Sequence, residues 1–285
     1  MTVAEIFKTE PLDATFGAVI TDIKLAELDA ATFTKLYETW LEYALLIFPG
    51  QHLSNDNQTT FAKRFGELEF DLAPISNVRK DGTVRDADDD VVKILKGNMG
   101  WHMDSTYMPV QAKGAVFSAH TVPKTRGETG WADMRAAYEQ LDNEVKNRIA
   151  NLSAYHSLYY SQAKMGHKPK EGSDYSGYGF FNQDPPLRPL VKVHPETNRP
   201  SLAIGRHAYG IPGMDPDESE QLLQKLVDDA CQAPRTYHHS WKTGDVVVWD
   251  NRCLLHQATP WDMKEPRIMY HARIAGDAET EFAAP

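Results

Sequence analysis

The segment Trp101-His102-Met103-Asp104 and the later His256 carry the residue types best suited to metal chemistry. His102 and Asp104 lie two positions apart, so on an extended segment both side chains emerge from one face and can chelate one metal ion. His256 follows the apolar run VVVW and could supply a third ligand. Two histidines and one carboxylate form the facial set that holds divalent iron with open positions. In a chain with 11 histidines, ordinary polar residues are the competing interpretation of the H-x-D triplet alone.

An arginine follows the second histidine at a short distance. Arg267 lies 11 residues after His256 and heads the strand-like run RIMYHARIA. A guanidinium group there could bind a carboxylate through two parallel hydrogen bonds. Strand alternation would place Arg267, Met269, His271 and Arg273 on one face. The downstream context therefore favours the metal-site interpretation of the triplet.

The composition limits what the chain can be. Its 285 residues, 41% of them hydrophobic, suffice for one large core, and we expect a single domain over residues 1–285. A formal net charge of −10 disfavours a phosphate-binding surface, so nucleic acid is not an expected partner. The chain shows no signal-peptide pattern and no apolar run of about 18 residues, which predicts a cytosolic protein without a membrane span. Cys231 and Cys253 lack C-x-x-C spacing and are expected to be reduced.

Short strand-like runs dominate the chain after about residue 65. They are VVKIL at 91–95, GAVFSAHTV at 114–122, PLVKVH at 189–194, SLAIG at 201–205, DVVVWD at 245–250 and RIMYHARIA at 267–275. A strand pair within 14–24 and a buried strand at 44–48 precede them. This cadence predicts a mainly β fold with helical decoration around a double-stranded β-helix, the jelly-roll or cupin-like core.

Helices are predicted at four places, 29–43, 54–64, 134–152 and 215–232. Ser54 can cap the second helix, and a proline opens the last one. The stretch 155–187 is rich in Tyr, Gly, Ser and Pro with little periodicity. Because ordered loops of this length are usually functional, we expect it to be an active-site lid.

The combined pattern resembles the taurine/2,4-dichlorophenoxyacetate dioxygenases, whose motifs are W-H-x-D, a threonine, D-N-R-x-x-x-H and an arginine. The matching segments are W-H-M-D at 101–104, G-E-T-G-W at 127–131 and W-D-N-R-C-L-L-H at 249–256. The likeness covers nearly the whole chain, from L-L-I-F-P-G-Q at 45–51 to R-I-M-Y-H-A-R at 267–273. Segments such as A-L-L-I-F-P-G-Q-H-L-S-N-D and H-M-D-S-T-Y-M-P-V look like the branch that cleaves (S)-2-phenoxypropionate herbicides.

The resemblance implies that His102, Asp104 and His256 bind iron(II). It also implies that Thr129 and Arg267 hold the far carboxylate of 2-oxoglutarate. Dioxygen and 2-oxoglutarate would then drive hydroxylation of a small organic acid, with succinate and carbon dioxide as by-products. For an aryloxyalkanoate, hydroxylation beside the ether oxygen releases a phenol and a keto or aldehyde acid. The alternatives are an ordinary strand threonine at Thr129 and a surface ion-pair residue at Arg267.

The chain departs from the family at the expected substrate side. In many members a second arginine, four residues after the first, holds an anionic substrate, and this chain has His271 there. We expect Arg273, on the same strand face, to replace that cation with help from His271; the alternative is a surface arginine near the strand end. Asn98 matches a substrate-side asparagine, or is a turn residue beside Gly97. His207 lies where the family places substrate-facing residues, or is an ordinary polar histidine.

Other interpretations compete with this one. His52, His238 and His239 are interpreted as solvated. An inactive jelly-roll binding protein would have lost a metal ligand or Arg267, and no such loss is visible. A zinc hydrolase would need an H-E-x-x-H helix, which the chain lacks. An aryloxyalkanoate is the first expected substrate and another small anion, such as a sulfonate, the second; a homo-oligomer stays possible.

Overall fold

A computed structural model describes residues 6–166 and 184–283. The strands in these ranges are β1 (Lys8–Pro11), β2 (Ala18–Thr21), β3 (Leu45–Phe48), β4 (Ala73–Ser76), β5 (Gly114–Thr121), β6 (Thr129–Asp133), β7 (Ser153–His156), β8 (Leu187–Pro189), β9 (Val191–Val193), β10 (Pro200–Leu202), β11 (Ala208–Tyr209), β12 (Thr236–His239), β13 (Val246–Asp250), β14 (Leu254–Ala258) and β15 (Ile268–Ile274). The helices are α1 (Ala30–Tyr43), α2 (Asn55–Lys63), α3 (Asp90–Gly97), α4 (Met134–Gln140), α5 (Asn143–Ile149), α6 (Leu158–Lys164), α7 (Pro216–Ala230) and α8 (Ala278–Glu281), with a 3-10 turn at Leu25–Glu27.

Seven strands form a main sheet in the order β1-β2-β3-β13-β5-β15-β4. Its neighbours are antiparallel except for the pair β2 and β3. A second sheet has the order β12-β6-β14, and two small sheets have the orders β11-β7-β8 and β10-β9. Strands that are far apart in the chain thus become neighbours, which allows distant residues to share one site.

Both faces of the main sheet are buried. In β3, Leu45 and Ile47 belong to a core cluster that includes Trp131 of the second sheet. Leu46 and Phe48, on the opposite face, belong to a cluster that also takes in residues of α1 and α2. Because side chains alternate along a strand, one short apolar run fills two cores. A third cluster gathers residues of α4 and α7 with the small sheets.

Most of the strongly patterned elements appear where the sequence predicts them. The predicted strands at 44–48, 114–122, 245–250 and 267–275 correspond to β3, β5, β13 and β15. The predicted helices at 29–43, 54–64 and 215–232 correspond to α1, α2 and α7. Their N-caps are Asp29, Ser54 and Asp215, whose side chains accept backbone amides of the first turn.

The predicted strand at 91–95 is wrong, because this run lies in α3. Val91, Ile94 and Leu95 are buried at the spacing of one helical face. Asp89 accepts from the amide of Val91 at 2.9 Å and caps the helix. An apolar run of five residues fits either a strand or a helix by periodicity, so the aspartate ahead of it decides.

Three other boundaries also differ. The helix predicted at 134–152 is two helices, because Leu141 adopts an extended backbone and Asp142 caps α5 by accepting from Val145 N. The opening strand pair begins earlier than predicted: β2 lies within 14–24, but its partner β1 precedes this range. The strands at 189–194 and 201–205 are shortened to β9 and β10.

The predicted lid lies only partly within the described residues, since 167–183 fall outside them. Its described beginning is more regular than predicted and contains α6, capped by Ser157. The lid itself stays a prediction, as does the single domain. Within the described ranges, no helix combines the length and apolarity that a membrane crossing requires.

Candidate active site

The two histidines of the predicted ligand set face each other across an antiparallel backbone bridge. The amide of His102 donates to the carbonyl of His256 at 3.0 Å, and the amide of His256 donates to the carbonyl of His102 at 2.8 Å. Residues in such a reciprocal pair lie directly opposite each other, so their side chains leave on the same face. Their ring centroids are 4.2 Å apart. The two imidazole rings therefore lie next to each other in the protein interior.

Asp104 follows His102 and is held by a buried asparagine. The side chain of Asn251 accepts from the Asp104 amide at 2.7 Å and donates to the carbonyls of Asp104 and Ala112, each at 2.9 Å. Asn251 is fully buried and lies between β13 and β14. It therefore ties the segment that carries Asp104 to the turn that leads to His256.

The neighbouring residues of that turn form a buried ion pair. Arg252 donates to Asp250 through Nε at 2.8 Å and Nη2 at 2.6 Å, and His194 Nε2 lies 2.9 Å from Asp250 Oδ2. Burial opposes ionisation of Asp250, but the Arg252 charge and the His194 contact outweigh it and keep its pKa well below the usual range. Although Cys253 lies close to His194 and Asp250, the carboxylate is already paired. This group locks the turn, and its carboxylate is engaged by Arg252 and His194.

His102, Asp104 and His256 have the geometry of a metal-binding set. One ligand atom from each lies within 4.8 Å of the others, and all three residues are buried. The Nδ1 of His102 lies 2.7 Å from the Gly100 carbonyl; because a carbonyl only accepts, Nδ1 carries the proton and Nε2 keeps its lone pair. Asp104 Oδ2 is buried without a hydrogen-bond partner among the described residues. An orphaned carboxylate oxygen beside two imidazoles fits divalent iron.

The electrostatics of the cluster favour ligation. Burial opposes ionisation of Asp104, but the charge of Arg273, whose Nη2 donates to Asp104 Oδ1 at 3.0 Å, outweighs it and keeps the pKa of Asp104 well below the usual range. Burial lowers the pKa values of His102 and His256. At neutral pH the cluster is therefore one carboxylate with two neutral imidazoles, the state in which all three can bind a metal.

His271 lies against the same carboxylate. Its Nε2 is 3.5 Å from Asp104 Oδ2, and its ring stacks on Trp249 with the planes 15° apart. Burial lowers the pKa of His271 to about 3. The ring is therefore a neutral hydrogen-bonding group and adds no positive charge to this wall.

Arg267 and Thr129 line the same interior from two different sheets. Thr129 pairs with Ala258, two residues beyond His256 on β14, so Thr129 and His256 share a face. Thr129 Oγ1 accepts from Trp241 Nε1 at 3.0 Å. Because a hydroxyl group has one proton, that proton stays free to donate elsewhere.

Arg267 is a buried cation with no acidic partner among the described residues. The side chain is 3% exposed, its Nε is unpartnered, and its Nη2 makes only a 3.4 Å contact with the Gly127 carbonyl. Its guanidinium carbon lies 5.0 Å from the Trp261 ring centroid and 5.9 Å from that of Phe117. Burial lowers the pKa of Arg267 to about 10, so the group still carries its charge at neutral pH. Such a group requires an anion to offset its desolvation.

The remaining predicted site residues lie around this cluster. Arg273 is buried against Asp104, so its interpretation as a surface arginine is wrong. The His207 ring lies 5.7 Å from that of His102, and His207 Nδ1 is 2.8 Å from Ser161 Oγ in α6. Asn98 ends α3, and its carbonyl accepts from the amide of Ala258 at 2.8 Å.

One of the histidines predicted to be solvated is buried. His52 and His238 are exposed, as expected. His239 instead lies with its Nε2 3.0 Å from Asp245 Oδ2 and its ring edge-on to Trp241 at 4.7 Å. The prediction was wrong because β12 pairs with β6 and carries this side chain inward.

Sequence reasoning missed the asparagines that position the site. Asn251 is the middle residue of the D-N-R motif, so the motif itself was the signal that could have found it. Asn77 has no such signal. It accepts from the Arg267 amide at 2.8 Å and donates to the carbonyls of Met263 and Glu265, each at 2.9 Å, which fixes the start of β15.

Comparisons with known proteins identify the family. The family model described as taurine catabolism dioxygenase TauD, TfdA family matches residues 8–273. A "(S)-phenoxypropionate/alpha-ketoglutarate-dioxygenase" of Sphingobium herbicidovorans is 64% identical over 97% of this chain and 98% of its own length. A protein of the same description from Delftia acidovorans is 60% identical over 96% and 97% of the two chains. The crystal structure of AAD-2 with Mn(II) and N-oxalylglycine has a TM-score of 0.90 at 35% identity, covering 98% of this chain and 99% of that one.

The described fold and the His-Asp-His cluster thus define a metal-dependent oxygenase. The chain belongs to the taurine catabolism dioxygenase TauD, TfdA family. It is an iron(II)- and 2-oxoglutarate-dependent dioxygenase that consumes dioxygen, which confirms the enzyme class and the cofactors predicted from sequence. The hydrolase and the inactive binding protein are thereby set aside.

Replacing the carboxylate ligand tests the metal assignment. Asp104→Ala should abolish turnover, because only two neutral imidazoles would remain to hold the cation beside the positive charge of Arg273. Metal affinity should fall by more than the roughly 10- to 100-fold that loss of an outer-shell partner costs. Equilibrium dialysis against Mn(II) measures the affinity. Asp88→Ala, at an exposed aspartate, is the matched control, and wild-type affinity in Asp104→Ala would remove Asp104 from the ligand set.

Replacing the clamp separates positioning from ligation. Asn251→Ala should weaken metal binding by roughly 10- to 100-fold, because the segment that carries Asp104 loses its tie. Buried groups left unpaired should also lower the free energy of unfolding by about 1 to 3 kcal/mol. Mn(II) dialysis and urea unfolding measure the two effects. Asn147→Ala, at an exposed helical asparagine, should change neither, and unaltered metal affinity in Asn251→Ala would contradict the clamp.

Proposed function

We propose that this dioxygenase acts on (S)-2-aryloxypropionates. It hydroxylates the carbon that bears the ether oxygen, and the resulting hemiketal collapses to a phenol and a 2-keto acid. The observation that carries the proposal is Arg267, a buried guanidinium group without an acidic partner among the described residues, directly before the strand that presents His271 to the His-Asp-His cluster. The names of the Sphingobium and Delftia relatives support the aryloxypropionate class.

In this proposal His102, Asp104 and His256 hold the iron. Three protein ligands leave positions for 2-oxoglutarate and dioxygen. When bound, iron and 2-oxoglutarate supply the oxidising power, with succinate and carbon dioxide as by-products. The protein contributes the fixed ligand geometry and the orientation of both organic acids.

Arg267 and Thr129 receive the far carboxylate of 2-oxoglutarate. Arg267 can donate two parallel hydrogen bonds, and Thr129 can donate its hydroxyl proton because Trp241 already occupies its acceptor side. Phe117 and Trp261 flank the guanidinium group and exclude water from it. A dry, low-dielectric setting strengthens the charge pair, which favours an anionic cosubstrate over a neutral one.

The architecture follows from the same reasoning. We infer that the main sheet and the β12-β6-β14 sheet are the two layers of a double-stranded β-helix, because Trp131 of one layer shares a core cluster with Leu45 and Val247 of the other. Likeness to dioxygenase structures supports this. A cytosolic location stays a prediction.

A substrate panel tests the proposed function. The iron-loaded enzyme with 2-oxoglutarate and ascorbate is given (S)- and (R)-2-phenoxypropionate, phenoxyacetate and taurine, and succinate and phenol are measured. We expect phenol equal to succinate with the (S) acid and little phenol with the (R) acid. Succinate in step with sulfite from taurine, and no phenol from any aryloxy acid, would show the sulfonate alternative instead.

The role of Arg267 is tested independently of the primary substrate. Arg267→Ala should raise the Michaelis constant for 2-oxoglutarate by the equivalent of about 2 to 5 kcal/mol, since the variant leaves a desolvated carboxylate unpaired. The same rise should appear with every primary substrate. Arg148→Ala, at an exposed arginine paired with Glu218, is the control. A rise confined to the primary substrate would contradict the assignment.

A further inference from the structure

A second guanidinium group near the metal cluster also lacks a partner. The Nε and Nη1 atoms of Arg206 are buried and make no hydrogen bond, and Arg206 has no ion pair among the described residues. Burial lowers the pKa of Arg206 to about 10, so it too remains charged at neutral pH. An uncompensated cation of this kind is a candidate anion site.

The backbone holds Arg206 against the metal-ligand segment. The amide of Arg206 donates to the carbonyl of Trp101 at 2.9 Å, so the residue lies beside the start of the W-H-M-D motif. A Cβ atom built on Gly205 would lie 3.3 Å from the Cα of His102, which shows how closely the two segments approach. The next residue, His207, packs its ring on that of His102.

Two glycines make room for the Arg206 side chain. A Cβ atom on Gly100 would lie 3.1 Å from Arg206 Cδ, and one on Gly97 would lie 3.1 Å from Arg206 Nη1. The Gln162 amide approaches the same Gly97 position at 3.0 Å through Oε1, which is also buried without a hydrogen-bond partner. Gln162 is neutral, so it forms no ion pair with Arg206.

The arginines around the cluster differ in whether they are bonded to a carboxylate of the protein. Arg273 is bonded to Asp104 at 3.0 Å, so a carboxylate of the protein already offsets its charge. Arg267 and Arg206 have no such carboxylate among the described residues. The reaction brings two organic acids to the site, 2-oxoglutarate and the substrate. Two guanidinium groups that are not bonded to a carboxylate of the described residues match these two acids.

We propose that Arg206 binds the carboxylate of the primary substrate and thereby orients its ether-bearing carbon toward the metal. The inference rests on the proposed function and adds a specificity-determining residue to it. It moves the substrate-binding role expected for Arg273 to Arg206, because Arg273 is engaged with a metal ligand. An arginine on the 203–207 loop thus takes the place of the missing second arginine on β15.

Binding without turnover tests this directly. Calorimetric titrations use the Mn(II) enzyme with saturating 2-oxoglutarate under nitrogen, with (S)-2-phenoxypropionate and its neutral primary amide as ligands. Arg206→Gln, which keeps a long side chain over Gly100, should weaken binding of the acid by roughly 10- to 100-fold and binding of the amide by less than about threefold. Arg206→Lys should recover part of the lost affinity for the acid. The affinity for 2-oxoglutarate should not change in either variant.

The outcomes separate the two proposals. Equal weakening for acid and amide, or no difference between Arg206→Gln and Arg206→Lys, would overturn the role of Arg206 even if the wild-type enzyme cleaves aryloxypropionates. If the wild-type enzyme binds a sulfonate and no aryloxy acid, the proposed function fails. The affinity of Arg206→Gln for that sulfonate then decides about Arg206: a 10-fold or greater loss supports the assignment, and an unchanged affinity overturns it. Arg148→Ala, at an exposed arginine, is the control for loss of a surface charge.

Discussion

The reciprocal backbone bridge between His102 and His256 is the contact on which the site depends. It joins segments 154 residues apart in the chain and fixes both imidazoles before any ligand arrives. Backbone hydrogen bonds alone would set the register but not the position of Asp104, two residues further on. Asn251 fixes that position, because its side chain bonds to both the amide and the carbonyl group of Asp104. The asparagine of the D-N-R motif therefore clamps another segment, the one that carries Asp104, a predicted metal ligand.

The buried residues around the cluster include several cations, although the chain as a whole is negatively charged. The chain carries a formal net charge of −10, yet the residues around the cluster include Arg206, Arg267 and Arg273, and only Arg273 is bonded to a carboxylate of the site. Desolvated cations cost free energy that internal pairs usually offset. In the proposed function two organic acids would offset this cost, which would favour the binding of carboxylates.

The parts of the fold that could be predicted are those with long, regular patterns. The sequence predicted one strand face that carries Arg267, His271 and Arg273, and the structure buries all three, with Arg267 directly before the seven residues of β15. Predictions from short apolar runs were less successful, because the pattern of five residues such as 91–95 fits a strand as well as a helix. In that segment the N-cap residue Asp89 was the feature that indicated a helix.

The site could be predicted where a motif fixes several residues at once and could not where a lone side chain must find its partner in space. His239 looked solvated because its sequence neighbours are polar, but Asp245, which binds it, lies across a turn. Arg206 was not singled out from the sequence for a related reason. Its distinguishing feature is that no described group forms an ion pair with it, and the lack of a partner cannot be recognised from spacing or composition. Whether a buried charge is paired depends on which side chains the fold brings together, so it can be determined only from the structure.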